Sequence, residues 1–316
     1  MNLPQTLRKI AANEDLNFLL TNRIPRYALT LAMGWFSRIR QPLVCRASIA
    51  LWKMFTDLDL SDATKTRFES LHDCFTRELK PGSRVVEMDP GVLTSPSDGI
   101  VGECGNVNNG RVFQAKGMGY TLAELLGSTE DAAAFADGVY ITLRLTSAMY
   151  HRFHAPHDLR VHRVTYISGD TWNVNPIALK RVERLFCRNE RAVIHTSLAD
   201  GGYPLLLVPV AAILVASIRL RFVDVLLHLR YLGPNRIDCS ATAAKGAELG
   251  WFEHGSTIVV LAPKGFSLCE GVQPGLRVCM GSALMALPPP NLALPAALAP
   301  DQFAPDACHG SFTNTG

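Results

Sequence analysis

Gly255-Ser256-Thr257 puts a serine hydroxyl directly after a glycine, at the entrance to the apolar run Ile258-Val259-Val260-Leu261. Such a hydroxyl can attack the carbonyl of the residue before it and turn the peptide bond into an ester. Glycine at that preceding position leaves the carbonyl open and tolerates a strained backbone. β-Elimination of the ester leaves dehydroalanine, which hydrolyses to a pyruvoyl group at a new N-terminus. That ketone forms an imine with an amine and accepts the electrons of a breaking bond. The tripeptide occurs twice, however, since Leu126-Gly127-Ser128-Thr129 repeats it. The flanks separate the copies. Residues 120–127 predict a short helix ending at Gly127, with Ser128 or Thr129 capping the next one. Gly255 and Ser256 instead lie in a loop entering a strand. Ser256 is the candidate.

A serine attacks an amide only when a base takes its proton and a further group orients that base. Two segments offer these parts. Ser95-Pro96-Ser97-Asp98-Gly99 is a turn sequence after Val92-Leu93, where Asp98 either caps its own backbone or serves as an orienting carboxylate. Tyr150-His151-Arg152-Phe153-His154-Ala155-Pro156-His157-Asp158 carries three histidines at i, i+3 and i+6. On a helical turn His151 and His154 share a face; on a strand they point oppositely. The same histidines with Asp158 offer metal ligands, but Pro156 ends the turn and takes His157 out of line. No metal is expected.

The elements that must position these groups follow from pattern. Residues 1–60 read as amphipathic helices interrupted at Pro25 and Pro42, and a further helix is expected over Ala63–Arg77. From about residue 84 short runs and turns indicate sheet. Val139–Leu145 and Thr257–Leu261 read as strands, and so does Ile218–Phe222, with Val223–Leu226 continuing it past a bulge. The uncharged stretch Gly201–Ile218 contains Pro204 and Pro209, which favours two buried strands over a membrane span. The expected class is α+β: a helical, membrane-associating region (1–60), a β-rich catalytic domain (61–286) and a Pro/Ala-rich disordered tail (287–316).

The net charge of +3 conceals an asymmetry. Residues 1–53 hold eight Lys/Arg against Glu14 and Asp15, mixed with Leu, Trp35 and Phe36. That combination suits an anionic membrane surface better than nucleic acid, for which no recognition signature is present. Eight cysteines without a Cys-x-x-Cys pair argue against a zinc knuckle or redox couple and fit a reducing compartment. The first ten residues lack the apolar core of a signal peptide.

Taken in order, Pro96-Ser97-Asp98-Gly99, Tyr150–Pro156 and Phe252-Glu253-His254-Gly255-Ser256-Thr257 resemble the motifs of the bacterial phosphatidylserine decarboxylases. Gln114-Ala115-Lys116-Gly117, Phe186 with Arg188-Asn189-Glu190-Arg191, and Val210–Ile218 extend the likeness from about residue 16 to 285. The resemblance implies a proenzyme cut between Gly255 and Ser256 into a β piece (1–255) and an α piece (256–316) that stay associated. It is compatible with a homodimer of that αβ unit. It assigns Asp98, His154 and Ser256 to a charge relay for self-cleavage, with Ser256 becoming the pyruvoyl cofactor and Schiff-base site. The substrate implied is phosphatidylserine in a membrane, decarboxylated to phosphatidylethanolamine by a peripheral enzyme on the cytoplasmic face of the cell membrane. His151 is the candidate proton donor in decarboxylation, and Lys116 and Arg152 are candidates for the phosphate. The alternative is a serine hydrolase of lipid esters with an Asp98-His154-Ser256 triad. The chain departs from the family pattern at Ser97, at His254 (a titratable group beside the cut), and at Ala211 and Ala216.

Overall fold

The structure, a computed structural model, describes residues 14–115, 117–213, 217–253 and 256–289. Lys116, Ala216, His254, Gly255 and the tail from residue 290 therefore lie outside the described residues. Among the described residues three helices come first: α1 (Glu14–Asn22), α2 (Arg26–Ser37) and α3 (Pro42–Phe55). Pro25 sits at the N-cap of α2, and Pro42 opens α3, where a missing N–H costs nothing. Gln41 completes that start by accepting from the Val44 N–H at 2.7 Å. Each helix keeps an apolar face outward: Leu16 and Leu19, then Tyr27, Leu29 and Trp35, then Leu43, Leu51, Met54 and Phe55 are exposed. Among the described residues no helix is long and apolar enough to cross a membrane.

The expected helix over Ala63–Arg77 forms only at its end, as α4 (Leu71–Phe75). Ser70 caps it by accepting from the Asp73 N–H, which stops the helix from extending backwards. Upstream the backbone pairs across instead, with the Thr64 N–H on the Glu78 carbonyl and the Lys80 N–H on Asp62.

An eight-stranded antiparallel sheet forms the centre. From edge to edge it runs β12 (Arg236–Ala243), β7 (Leu159–Ile167), β8 (Arg191–Leu198), β9 (Pro204–Ala211), β14 (Ser256–Ala262), β5 (Val139–Leu145), β2 (Gly99–Asn106) and β16 (Arg277–Val278). A four-stranded sheet has the order β11 (Leu226–His228), β10 (Ser217–Leu220), β13 (Glu248–Phe252), β6 (Arg152–His154). Smaller sheets join β1 (Val92–Thr94), β17 (Ala283–Ala286) and β15 (Ser267–Leu268), and pair β3 (Arg111–Ala115) with β4 (Met118–Thr121). Residues 217–228 do not continue one strand past a bulge. Bends after Leu220 fold β11 back on β10, with Ile218 opposite Leu227.

Two cores flank the large sheet. One packs Ile141, Leu143, Ile258 and Val260 against Phe153, Ile218, Leu249 and Phe252 of the four-stranded sheet. The other packs Val259 and Leu261 beneath α5 (Leu122–Leu126), α6 (Thr129–Ala133), α7 (Pro176–Arg181) and α8 (Leu185–Arg188). Strand β14 is thus buried on both faces, which is why it reads as an unbroken apolar run. The second Gly-Ser-Thr is structural, as its flanks imply. Gly127 ends α5 at φ 68°, and the Ser128 hydroxyl accepts from the Asp131 N–H to begin α6.

Candidate active site

Ser256 is the first residue of β14, paired with Leu145 on one side and Ala211 on the other. Its side chain is fully buried, and its Oγ has no hydrogen-bond partner among the described residues. The Thr257 hydroxyl beside it is in the same condition. A buried orphan hydroxyl costs roughly 1–3 kcal/mol, so it marks a site kept for something other than stability. Only residues 253–255 separate it from Phe252, the last residue of β13. The chain thus passes from the small sheet to the large one between Phe252 and Ser256. Glu253 anchors this crossover: its carboxylate takes a hydrogen bond from Arg38, the C-cap of α2, and its N–H donates to the Ser217 carbonyl at 3.2 Å.

The histidine segment is extended rather than helical, with His154 in β6 and His151 just before it. Their rings occupy different surroundings. His154 donates from Nδ1 to the Gly246 carbonyl at 2.8 Å, and its Nε2 lies 3.0 Å from the Tyr150 hydroxyl. A neutral imidazole with Nδ1–H so engaged accepts from Tyr150 at Nε2. Burial lowers the His154 pKa, opposed by the Gly246 hydrogen bond, so the ring rests in its basic form at neutral pH. His151 is buried, with its Nδ1 donated to the Met149 carbonyl at 2.8 Å and its ring centroid 4.0 Å from that of Phe75. The Phe252 N–H in turn donates to the His151 carbonyl, tying this histidine to the end of β13. Among the described residues no group of three His, Cys, Asp or Glu side chains could hold a metal.

Asp98 is brought beside His154 through backbone, since the His154 N–H donates to the Pro96 carbonyl at 2.7 Å. Its carboxylate does not reach the His154 ring. It is held in a bidentate fork by Arg84, with Nε at 2.8 Å and Nη2 at 2.6 Å, and it accepts the Met280 N–H at 2.9 Å. Nothing local in the sequence marks Arg84: it lies 14 residues before Asp98, in a turn whose residue types point to no chemistry. Arg152, a sequence candidate for phosphate, is spent on structure. It pairs with Glu248 at 2.9 Å and with Glu78 at 3.2 Å, and it donates twice to the Thr76 carbonyl.

A cavity of about 610 Å³ leads from the N-terminal helices to Ser256. Met33 and Phe36 of α2, Leu51, Trp52 and Phe55 of α3, and Phe75 of α4 wall its outer part. Arg144, Leu145, Ala212 and Ser256 form its inner end. Phe75 stacks on Trp52 with its ring 5.7 Å away, so one aromatic separates His151 from the lumen wall.

Asn189-Glu190-Arg191 braces the strand end beside Ser256. Asn189 Nδ2 donates to the Ala211 carbonyl at 2.9 Å, and the Ala211 N–H donates to the Glu190 carbonyl at 2.8 Å. Arg191 is spread over the carbonyls of Glu124, Leu125, Cys187 and Asn189. The Glu190 carboxyl is fully buried without a hydrogen-bond partner among the described residues, and burial pushes its pKa up to about 8, against the pull of the nearby Tyr166 hydroxyl. An unfolded glutamic acid loses its proton near 4.5, whereas this one keeps it to about 8, so the stability it allows at low pH is lost as pH rises through that window. Wild type should therefore lose ground to Glu190→Gln by up to about 1.4 kcal/mol per pH unit between 5 and 8. Urea unfolding at several pH values measures it, and parallel profiles would refute a protonated Glu190.

The phosphatidylserine decarboxylase family model matches residues 71–286. The chain is 37% identical over 239 residues to a phosphatidylserine decarboxylase proenzyme of Xanthomonas axonopodis pv. citri, covering 72% of this chain and 83% of the relative. It is 35% identical over 288 residues to that of Bordetella pertussis (87% and 95%), and 34% identical over 277 residues to that of Myxococcus xanthus (86% and 98%). These likenesses decide the matter: the chain belongs to the phosphatidylserine decarboxylase family.

Proposed function

We propose that this chain is a proenzyme that cuts itself between Gly255 and Ser256 and then decarboxylates phosphatidylserine to phosphatidylethanolamine. The observation that carries this reading is the cavity, which joins an apolar helical surface to one buried hydroxyl with no other task. The exposed Leu, Trp and Phe of α1–α3, flanked by Arg23, Arg40, Arg46 and Lys53, suit docking on the anionic cytoplasmic leaflet. A lipid entering between α2 and α3 then meets residue 256 without leaving apolar surroundings.

In self-cleavage, His154 takes the Ser256 proton at Nε2, where the serine hydroxyl replaces that of Tyr150. Asp98 acts through its charge rather than by a hydrogen bond, favouring the imidazolium as it forms; Arg84 keeps that charge in place. Base assistance of this kind contributes about 10²–10⁴-fold. The orphan Ser256 Oγ fits conversion to a pyruvoyl group, which supplies an electron sink for the carboxylate's departing pair once the substrate amine is bound. His151 returns the proton to the substrate carbon through Nε2, its Nδ1 fixed by the Met149 carbonyl. The two pieces stay together because β14 is laddered to β5 from Ser256 to Ala262 and to β9 from Ser256 to Leu261.

Intact-mass measurement tests the reading. Two pieces, residues 1–255 and 256–316, are expected, the second with a carbonyl-reactive, Edman-blocked end. A single uncleaved species that hydrolyses lipid esters would instead establish the serine hydrolase with the same three residues.

A further inference from the structure

The cavity that reaches Ser256 is lined by neutral side chains with one exception among the described residues, Arg144. Arg144 lies on β5 opposite Thr257, one position from the Leu145–Ser256 pair. It is the one position of that strand that is not fully buried. The other deeply placed arginines are engaged. Arg77 donates to the Cys74 and Ala148 carbonyls, Arg152 to Glu248, and Arg191 to four carbonyls. Arg84 and Arg163 are paired with Asp98 and Asp131. Arg144 has no such partner among the described residues, and the one influence on its pKa is burial, which lowers it. A cation drawn out of water beside a large apolar space, with no anion supplied by the protein, is a site for an anion that arrives with the ligand.

We propose that Arg144 binds the phosphodiester of the phospholipid, seating the head group so that its amine reaches residue 256. This rests on the decarboxylase reading above. A phosphatidylserine head group offers two anions, and chemistry chooses between them. The carboxylate must surrender its charge as carbon dioxide leaves, so a guanidinium on it would stabilise the ground state over the transition state and slow the reaction. The phosphodiester keeps its charge throughout, and holding it strengthens ground and transition states alike. Its phosphorus is four covalent bonds from the amine nitrogen, a span of at most about 6 Å, which a neighbouring strand position can serve. A planar fork of donors also matches two phosphate oxygens better than an ammonium does.

The test compares wild type, Arg144→Gln and Arg144→Lys, all self-processed, on short-chain phosphatidylserine and with short-chain phosphatidylethanolamine as inhibitor. Arg144→Gln should raise KM about tenfold or more, with kcat within about twofold. It should weaken inhibition by the product to the same extent, since phosphatidylethanolamine keeps the phosphodiester and lacks the carboxylate. Arg144→Lys should recover much of both losses, which a merely structural role would not produce. Unchanged product inhibition, or a fall confined to kcat, would overturn the proposal and point to the carboxylate or to the chemistry. If wild type itself neither cleaves nor decarboxylates, the decarboxylase reading fails first and this inference falls with it.

Discussion

A Ser256→Ala chain should remain one 316-residue species, without decarboxylase activity, and should be as stable as the unprocessed wild-type precursor or more so. The loss follows from chemistry: alanine has no nucleophile, so neither the ester nor the ketone derived from it can form. The stability half of the prediction follows from burial. Ser256 Oγ is shielded from water and has no partner among the described residues, so replacing the hydroxyl by hydrogen removes a desolvation cost of roughly 1–3 kcal/mol and leaves only a small void. A site that is more stable without its reacting group is what a trade of stability for activity produces. His151→Ala should part the two steps, with cleavage retained and turnover lost. Mass spectrometry and thermal unfolding read all of this. Cleavage of the Ser256→Ala chain, or its marked destabilisation, would show that Ser256 is structural, and loss of cleavage in His151→Ala would merge the roles separated here.

Much of this arrangement is legible in the residues because the signals are local. The glycine at the end of α5 and the serine cap after it identify the structural Gly-Ser-Thr, and the apolar run after Ser256 identifies a strand buried on both faces. What is not legible depends on partners distant in sequence. Arg84 meets Asp98 across a turn, the Gly246 carbonyl accepts a hydrogen bond from His154 Nδ1 across 92 residues, and Arg152 is absorbed by Glu248 on the neighbouring strand. Charge type alone made Arg152 and Lys116 phosphate candidates, because a sequence gives no account of which cations already have an anion. Arg144 is illegible for the same reason: within Val139–Leu145 it reads as one polar position of a strand, and only the surrounding cavity makes it exceptional. The expected helix over Ala63–Arg77 shrank to five residues because Ser70 caps where the apolar spacing alone suggests continuity.

Arg84 should prove nearly as sensitive as the residues that react. Asp98 is buried and ionic, and two of its three hydrogen bonds come from the Arg84 guanidinium. Removing one member of a buried ion pair typically costs about 3–5 kcal/mol, because the other charge is left without compensation. The fork is largely shielded from water, with side-chain exposures of 16% for Arg84 and 10% for Asp98, so solvent screening recovers only part of that. Arg84→Gln should therefore destabilise the precursor by about 3 kcal/mol and slow self-cleavage, since an unanchored Asp98 no longer holds its charge near His154. The Ser256→Ala background keeps every variant a single chain, so urea unfolding can be compared directly. There, Arg84→Gln combined with Asp98→Asn should cost clearly less than the sum of the two single changes, by about 2 kcal/mol, because the second substitution removes the charge that the first leaves stranded. Additive losses would mean that Arg84 and Asp98 act separately. In the cleavable chain, Arg84→Lys keeps a positive charge but loses the two-pronged fit, and an intermediate cleavage rate there would separate the contribution of charge from that of geometry.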